Sequence, residues 1–81
     1  MRKELTLLIS QLKRLTPKER YYILNFFVNN KTGNRNMDLR NFEFDLTLQH
    51  FRNSNRMLRI FDMMYGLNDE EISKLARTFK R

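Results

Sequence analysis

Three arginines in the second half of the chain have the spacing of one helix face. Arg52, Arg56 and Arg59 lie at positions i, i+4 and i+7, which places them on one side of any helix that extends back through residue 53. The side chains around this row can contact phosphates or the edges of bases: Gln49, Asn53 and Asn55. The pattern therefore predicts a surface that binds nucleic acid.

The same row also fits an ordinary solvent-exposed helix face. Asp62 is placed to neutralise Arg59 in an i, i+3 ion pair, and an apolar stripe lies on the opposite side of the helix: Met57, Phe61 and Met64. Amphipathic helices in general carry charge at this spacing. Both interpretations therefore remain open from the sequence alone.

A second set of basic residues lies near the amino terminus. The chain has a formal net charge of +7, and residues 1–36 contribute six of these charges, with eight lysines and arginines against two glutamates. This asymmetry predicts a polyanionic partner, whether nucleic acid, anionic lipid or an acidic protein. The candidates for nucleic-acid contact are the basic residues at the two ends of the second predicted helix: Lys13, Arg14, Lys18, Arg20, Lys31 and Arg35.

The sequence gives little support for catalytic or metal chemistry. Cysteine is absent and His50 is the only histidine, so disulfides and cysteine-based metal sites are excluded. The chain has two glycines and neither a glycine-rich phosphate loop nor a nucleophile motif. We therefore expect no enzymatic activity, no metal, no cofactor and no small-molecule substrate.

The first half of the chain predicts two helices. Four leucines repeat at helical spacing and predict a helix over residues 5–15: Leu5, Leu8, Leu12 and Leu15. Residues 16–19 then have the pattern of a capping box, with Pro17 at the first helical position. A second helix is therefore expected from there to about residue 30.

The second helix is apolar on almost every side, so it is either the central helix or a contact for another molecule. The latter option gives an alternative function. The protein would be an interaction module, an inhibitor or adaptor of the kind that phages and mobile elements encode, and would dock on an acidic partner through an apolar helix with a basic rim. Methionine-rich faces adapt well to partners, so the candidate interface combines this helix with two methionines: Tyr22, Phe26, Phe27, Met57 and Met64.

Residues 37–51 are compatible with two structures. Four apolar residues alternate with polar ones in the period-2 pattern of a strand: Phe42, Phe44, Leu46 and Leu48. In a helix, the same segment has two apolar stripes on opposite faces. Because the sequence contains no second strand candidate, we predict a helix and keep an extended conformation of residues 42–48 as the alternative.

Two further helices complete the chain. Ser54 can cap a helix over residues 55–65 that stops at Gly66. Asn68 and Glu71 form another capping pattern, and the helix that follows has acidic residues in its first turn and basic residues in its last.

Together these elements predict a single all-α domain over residues 1–81, a small bundle of four to five short helices. A chain of 81 residues without disulfides is near the lower size limit for an independent core, so we expect a homo-oligomer. The longest apolar run is too short for a transmembrane segment, and the amino terminus lacks a signal-peptide pattern, which predicts a cytoplasmic protein. The preferred function is that of a small regulatory protein that binds DNA or RNA.

Overall fold

The computed structural model describes residues 3–79, and these residues form five helices joined by short turns. The helices are α1 (Lys3–Lys13), α2 (Pro17–Asn25, continued directly by a π-helical segment, Phe26–Asn30), α3 (Arg35–Gln49), α4 (Ser54–Tyr65) and α5 (Asp69–Thr78). The described residues include no strand, so the predicted all-α bundle is confirmed. None of the five helices is long and apolar enough to cross a membrane.

Two helices begin with the capping boxes that the sequence predicts. At α2, the Glu19 N–H donates to Thr16 Oγ1 at 3.2 Å, and the Thr16 N–H donates to Glu19 Oε1 at 2.9 Å. Asn68 and Glu71 make the same reciprocal pair at the start of α5. Each box satisfies backbone donors that the first turn of a helix leaves without a partner, so both helix starts are fixed by local chemistry.

Residues 42–48 lie within α3, so the extended alternative is wrong. Phe42 and Leu46 are 0% and 4% exposed, whereas Phe44 and Leu48 are 63% and 60% exposed. A strand would place all four side chains on one face. The helix is favoured because its backbone hydrogen bonds are internal, while the described part of the chain offers a strand no partner.

The α2 helix and its continuation bury one side in the bundle and leave Tyr21 and Val28 exposed on the other; the buried side chains are Ile23, Leu24, Phe26 and Phe27. The α4 helix packs against α1, α2 and α3, and α5 packs against α2 and its π-helical continuation. Aromatic rings from three helices meet at Phe61, whose ring centroid lies 5.0 Å from that of Phe42 and 5.2 Å from that of Phe27. The helix runs to Asn30, as predicted, and its change from α to π geometry has no signal in the sequence.

A buried carboxylate orders the loop between α2 and α3. Asp38 accepts hydrogen bonds from the Thr32 hydroxyl at 2.7 Å, from the N–H groups of Thr32 and Gly33 at 3.1 and 3.3 Å, and from the Tyr65 hydroxyl. Gly33 has a φ of 95°, which a residue without a side chain adopts without strain. Burial raises the pKa of Asp38, but these hydrogen bonds outweigh it and hold the pKa below its ordinary value. Burial and the hydrogen bond to Asp38 raise the pKa of the Tyr65 hydroxyl to about 12.

Candidate nucleic-acid interface

The three predicted arginines meet at the amino-terminal end of α4. The helix begins at Ser54, so it does not extend back through residue 53, and Arg52 lies in the preceding turn. Arg52 and Arg59 are exposed and Arg56 is half-buried. All three line one shallow depression of about 290 Å³, together with the polar residues Asn53, Ser54 and Asn55. The three arginines therefore lie together, as their spacing in the sequence predicts, although Arg52 belongs to the turn before the helix.

The first amides of α4 receive no side-chain cap. Asn53 is the N-cap residue, but it makes no capping hydrogen bond because its side-chain amide donates to Glu19. The Ser54 hydroxyl donates to the backbone carbonyl of Phe51 at 2.7 Å. Since a helix amino terminus carries partial positive charge, this end of α4 adds to the positive potential of the arginines.

Within residues 3–79, no carboxylate neutralises the charge of the arginine cluster. Asp62 pairs with Arg35 of α3, so the predicted ion pair between Asp62 and Arg59 is wrong. Across residues 3–79, no carboxylate lies within ion-pair distance of Arg52, Arg56 or Arg59. The buried Nε of Arg56 also has no hydrogen-bond partner in that part of the chain. Among the described residues, the charges on this face of α4 are therefore not balanced by ion pairs along the same helix.

A hydrogen-bonded contact joins the turn before α2 to the turn before α4. Glu19 Oε2 accepts from the Asn53 N–H, and Glu19 Oε1 accepts from the Asn53 side-chain amide, both at 2.8 Å. Lys18 directly precedes Glu19, Arg52 directly precedes Asn53, and the end of α1 leads into the first of these turns. The basic residues at this end of the bundle are named the basic end: Lys13, Arg14, Lys18, Arg52, Arg56 and Arg59.

Glu19 is a structural anion within the basic end. Its two oxygens accept three hydrogen bonds, from Thr16 and Asn53, and the residue is 1% exposed. Burial raises the pKa of Glu19, but these hydrogen bonds outweigh it and keep the pKa below its ordinary value. The carboxylate is thus charged and already satisfied, and it does not pair with the arginines.

Arg20 has a structural role in place of the predicted phosphate contact. Its Nε donates to the Leu12 carbonyl and its Nη2 to the Leu15 carbonyl, at 3.1 Å each. The guanidinium also lies 5.1 Å from the ring centroid of Phe79. Arg20 therefore satisfies carbonyls at the end of α1 and links them to the end of α5.

Lys31 and Arg35 lie at the opposite end of the bundle from the basic end. Lys31 Nζ is 3.6 Å from Asp69 and 5.5 Å from the ring centroid of Tyr65, and Arg35 pairs with Asp62. Both contacts involve the end of α4 or the start of α5. The nine predicted nucleic-acid residues thus separate into six at the basic end, one in a structural contact and two that are paired with carboxylates.

The structure corrects the predicted protein interface. Four of its five residues are core side chains with at most 4% exposure: Phe26, Phe27, Met57 and Met64. The fifth, Tyr22, is half-buried and donates its hydroxyl to Asp45. The four core side chains lie on the inward faces of α4 and of the π-helical continuation of α2, so they pack within the core and do not present an external surface.

Ser54 lines the arginine depression and was not among the predicted site residues. Its position between Arg52 and Arg56 was the available signal, but the sequence analysis predicted that Ser54 caps α4. In the structure the N-cap residue is Asn53. His50 is exposed at the end of α3, with a left-handed φ of 53°, and does not line the depression. Within the described residues, no group of three or more His, Cys, Asp or Glu side chains could hold a metal ion.

No protein-family model, curated protein or solved structure matches this chain. The functional assignment therefore rests on the residues described above. What this surface can do chemically is attract phosphate groups and hydrogen-bond their oxygens with guanidinium, ammonium and amide donors.

Proposed function

We propose that the protein binds nucleic acid, DNA or RNA, through phosphate contacts at the basic end. The observation that carries the proposal is the depression lined by Arg52, Arg56 and Arg59, whose charges have no carboxylate partner within residues 3–79. Cations that no carboxylate neutralises leave a positive potential at this surface, and guanidinium groups bind phosphate oxygens through two parallel hydrogen bonds.

The basic end contains more cations than the three that line the depression. It combines the depression with cations from the end of α1 and the start of α2, which the contact between Glu19 and Asn53 holds beside it. Backbone contacts of this kind supply affinity without sequence preference, and Asn55, an exposed amide that lines the depression, is the side chain placed to add base contacts. The proposed role is that of a cytoplasmic regulatory binding protein with no catalytic step.

The half-buried position of Arg56 favours binding further. A side chain already held by packing loses less conformational freedom when it contacts a phosphate than a fully solvated one does. Exposed Arg52 and Arg59, on either side, supply the mobile contacts.

The test is fluorescence anisotropy with a labelled duplex DNA and a labelled single-stranded RNA, in a salt series from about 50 to about 300 mM. With four to six phosphate contacts, we expect log K to fall with log[salt] at a slope of about −4 to −5 for duplex DNA. Arg52→Gln/Arg59→Gln should reduce the steepness of that slope by about 2 and weaken binding to all sequences alike.

Lys3→Gln/Arg40→Gln is the matched control, because it removes the same two charges from exposed positions outside the basic end. Its binding should stay within about threefold of the native chain, reflecting only the change in net charge. Absence of binding to both nucleic acids at 50 mM salt, or equal losses in the two double variants, contradicts the proposal.

A further inference from the structure

A groove runs along the whole length of α2 and its π-helical continuation. The groove has a volume of about 750 Å³. One face of this helix and two residues at the end of α5 line it: Pro17, Lys18, Arg20, Tyr21, Leu24, Asn25, Val28, Asn29, Ala76 and Phe79. Its walls are mainly apolar, and two of its large side chains are open to solvent, Tyr21 at 73% and Val28 at 50% exposure.

The second unpartnered surface is the outer face of α3. Met37, Phe44 and Leu48 are 50%, 63% and 60% exposed, and with Asn41 they follow the i, i+4, i+7, i+11 spacing of a single helix stripe. Of the four alternating apolar residues of this segment, the stripe contains the two that remain exposed, Phe44 and Leu48. A solvent-exposed row of this kind marks an interaction surface.

We propose that the α3 stripe of one copy of the chain occupies the α2 groove of the next copy. Six large apolar side chains are exposed in residues 3–79, and five of them belong to these two surfaces. A helix stripe in an apolar groove is a common mode of recognition, in which residues at i, i+4 and i+7 serve as anchors.

The two surfaces match in length. From Met37 to Leu48 the stripe spans about 17 Å, and from Pro17 to Asn29 the groove spans about 18 Å, at 1.5 Å per helical residue. Phe44, at the middle of the stripe, would lie between Tyr21 and Val28.

The charges along the two surfaces are also complementary. Residues 41–49 of α3 carry Glu43 and Asp45 and no basic residue, whereas the groove is bordered by Lys18 and Arg20 and has no acidic lining residue. Arg40 lies within the span of the stripe, one helical turn before Phe44. The acidic character is therefore confined to the carboxyl-terminal part of the stripe. The net charge of +7 opposes association at long range, and salt at about 0.15 M screens that repulsion beyond about 8 Å.

This interface is heterologous, since the two partners contribute different surfaces. A dimer therefore keeps one free groove, on one copy, and one free stripe, on the other. Further copies can bind to these surfaces, so association continues past the dimer. For an interface of this size we expect a dissociation constant in the micromolar range, from about 1 to about 100 µM.

Sedimentation equilibrium from about 5 to about 500 µM protein, at 0.15 M salt, tests the proposal. The native chain should form species larger than a monomer in a concentration-dependent manner. Phe44→Glu/Leu48→Glu removes the stripe and Tyr21→Glu/Val28→Glu removes the groove, and each variant alone should be monomeric. All four positions are exposed, so far-UV circular dichroism should show a native helical signal and an unchanged melting transition.

An equimolar mixture of the two variants distinguishes the proposed interface from a symmetric one. The groove of the stripe variant and the stripe of the groove variant are both intact, so the mixture should form a heterodimer and nothing larger. Leu7→Glu/Ser10→Glu on α1 adds the same two negative charges at exposed positions outside both surfaces, and should associate like the native chain.

Three results would overturn the proposal. A native chain that stays monomeric at 500 µM shows that the surfaces do not meet, and leaves the groove to a different partner. A mixture that stays monomeric shows that the stripe of one copy does not bind the groove of another. Equal loss of association in the α1 control shows that charge alone drives the change.

Discussion

Glu19 and Asn53, 34 residues apart in the chain, are joined by two hydrogen bonds from Asn53 to the same carboxylate. The Glu19 carboxylate simultaneously completes the capping box of α2 with Thr16. One side chain thus starts a helix and fixes the neighbouring turn, and that turn carries Arg52. The local signal that predicts α2 is therefore also the element that positions the candidate binding site.

Glu19→Ala should lower the free energy of unfolding by about 3 kcal/mol. The substitution leaves the N–H groups of Thr16 and Asn53 without their acceptor in a part-buried contact, and each unpaired donor costs about 1 to 3 kcal/mol. Urea unfolding followed by circular dichroism measures the effect. Glu43→Ala, which removes an exposed carboxylate from α3, should change stability by no more than about 0.5 kcal/mol. Equal effects of the two substitutions would show that the Glu19 contact contributes nothing specific.

Acid should destabilise the fold through Glu19 and Asp38. Both carboxylates have a pKa below the ordinary values of 4.5 and 3.8, because hydrogen bonds to the charged forms outweigh the effect of burial. Their contribution to stability is complete above the pKa of the unfolded chain and is lost as the pH falls through the lower pKa of the folded state. The free energy of unfolding should therefore decrease from pH 5 toward about pH 2.

The variant Glu19→Gln/Asp38→Asn isolates this contribution. Its stability should be lower than that of the native chain at pH 7, and its dependence on pH below 5 should be flatter. Urea unfolding at a series of pH values measures both quantities. A pH profile parallel to that of the native chain would assign acid denaturation to other carboxylates.

Arg20 and Lys18 should separate stability from binding. Arg20→Gln loses two hydrogen bonds to the carbonyls of α1 and the contact with Phe79, so the free energy of unfolding should fall by about 1 to 3 kcal/mol. Lys18→Gln alters an exposed side chain, so stability should stay within about 0.5 kcal/mol. Lys18→Gln should instead weaken DNA binding and reduce the steepness of the salt slope by about 1. The reverse pattern would place Arg20 in the binding surface.

Phe42 and Phe44 report directly on the conformation of α3. Phe42→Ala should cost about 3 to 5 kcal/mol because it leaves a cavity beside Phe61, whereas Phe44→Ala should cost no more than about 0.5 kcal/mol. Unfolding is best measured at about 0.5 µM protein, below the expected range of self-association. Comparable costs at the two positions would indicate a strand, in which both side chains face the same way.

Much of the fold could be predicted from local patterns. The leucine repeat of α1 and the capping boxes at Thr16 and Asn68 act within a few residues of themselves, so they predict their helices without knowledge of the rest of the chain. The segment that forms α3 could not be resolved in this way. Its period-2 pattern and its helical stripes use the same residues, and only the availability of a partner strand distinguishes them.

The candidate site was less accessible to sequence reasoning. Spacing grouped Arg52, Arg56 and Arg59 correctly, but it also assigned Asp62 to Arg59, because i, i+3 neighbours are the only ion pairs that a sequence reveals. The structure instead pairs Asp62 with Arg35, 27 residues away. That long-range pairing is what leaves the arginine cluster without a counter-charge.

By itself, the sequence determined most of the helices, the starts of α2 and α5 and the sign of the charge, because capping, periodicity and composition are local or additive properties. The tertiary structure decided which of those charges remain unpaired and which apolar residues remain outside. Lys31 and Arg35 find carboxylates on α4 and α5, while the basic end finds none within residues 3–79. Likewise Phe26 and Phe27 enter the core and Phe44 does not. Pairing and burial depend on how helices distant in sequence pack together, and packing is set by the whole chain at once.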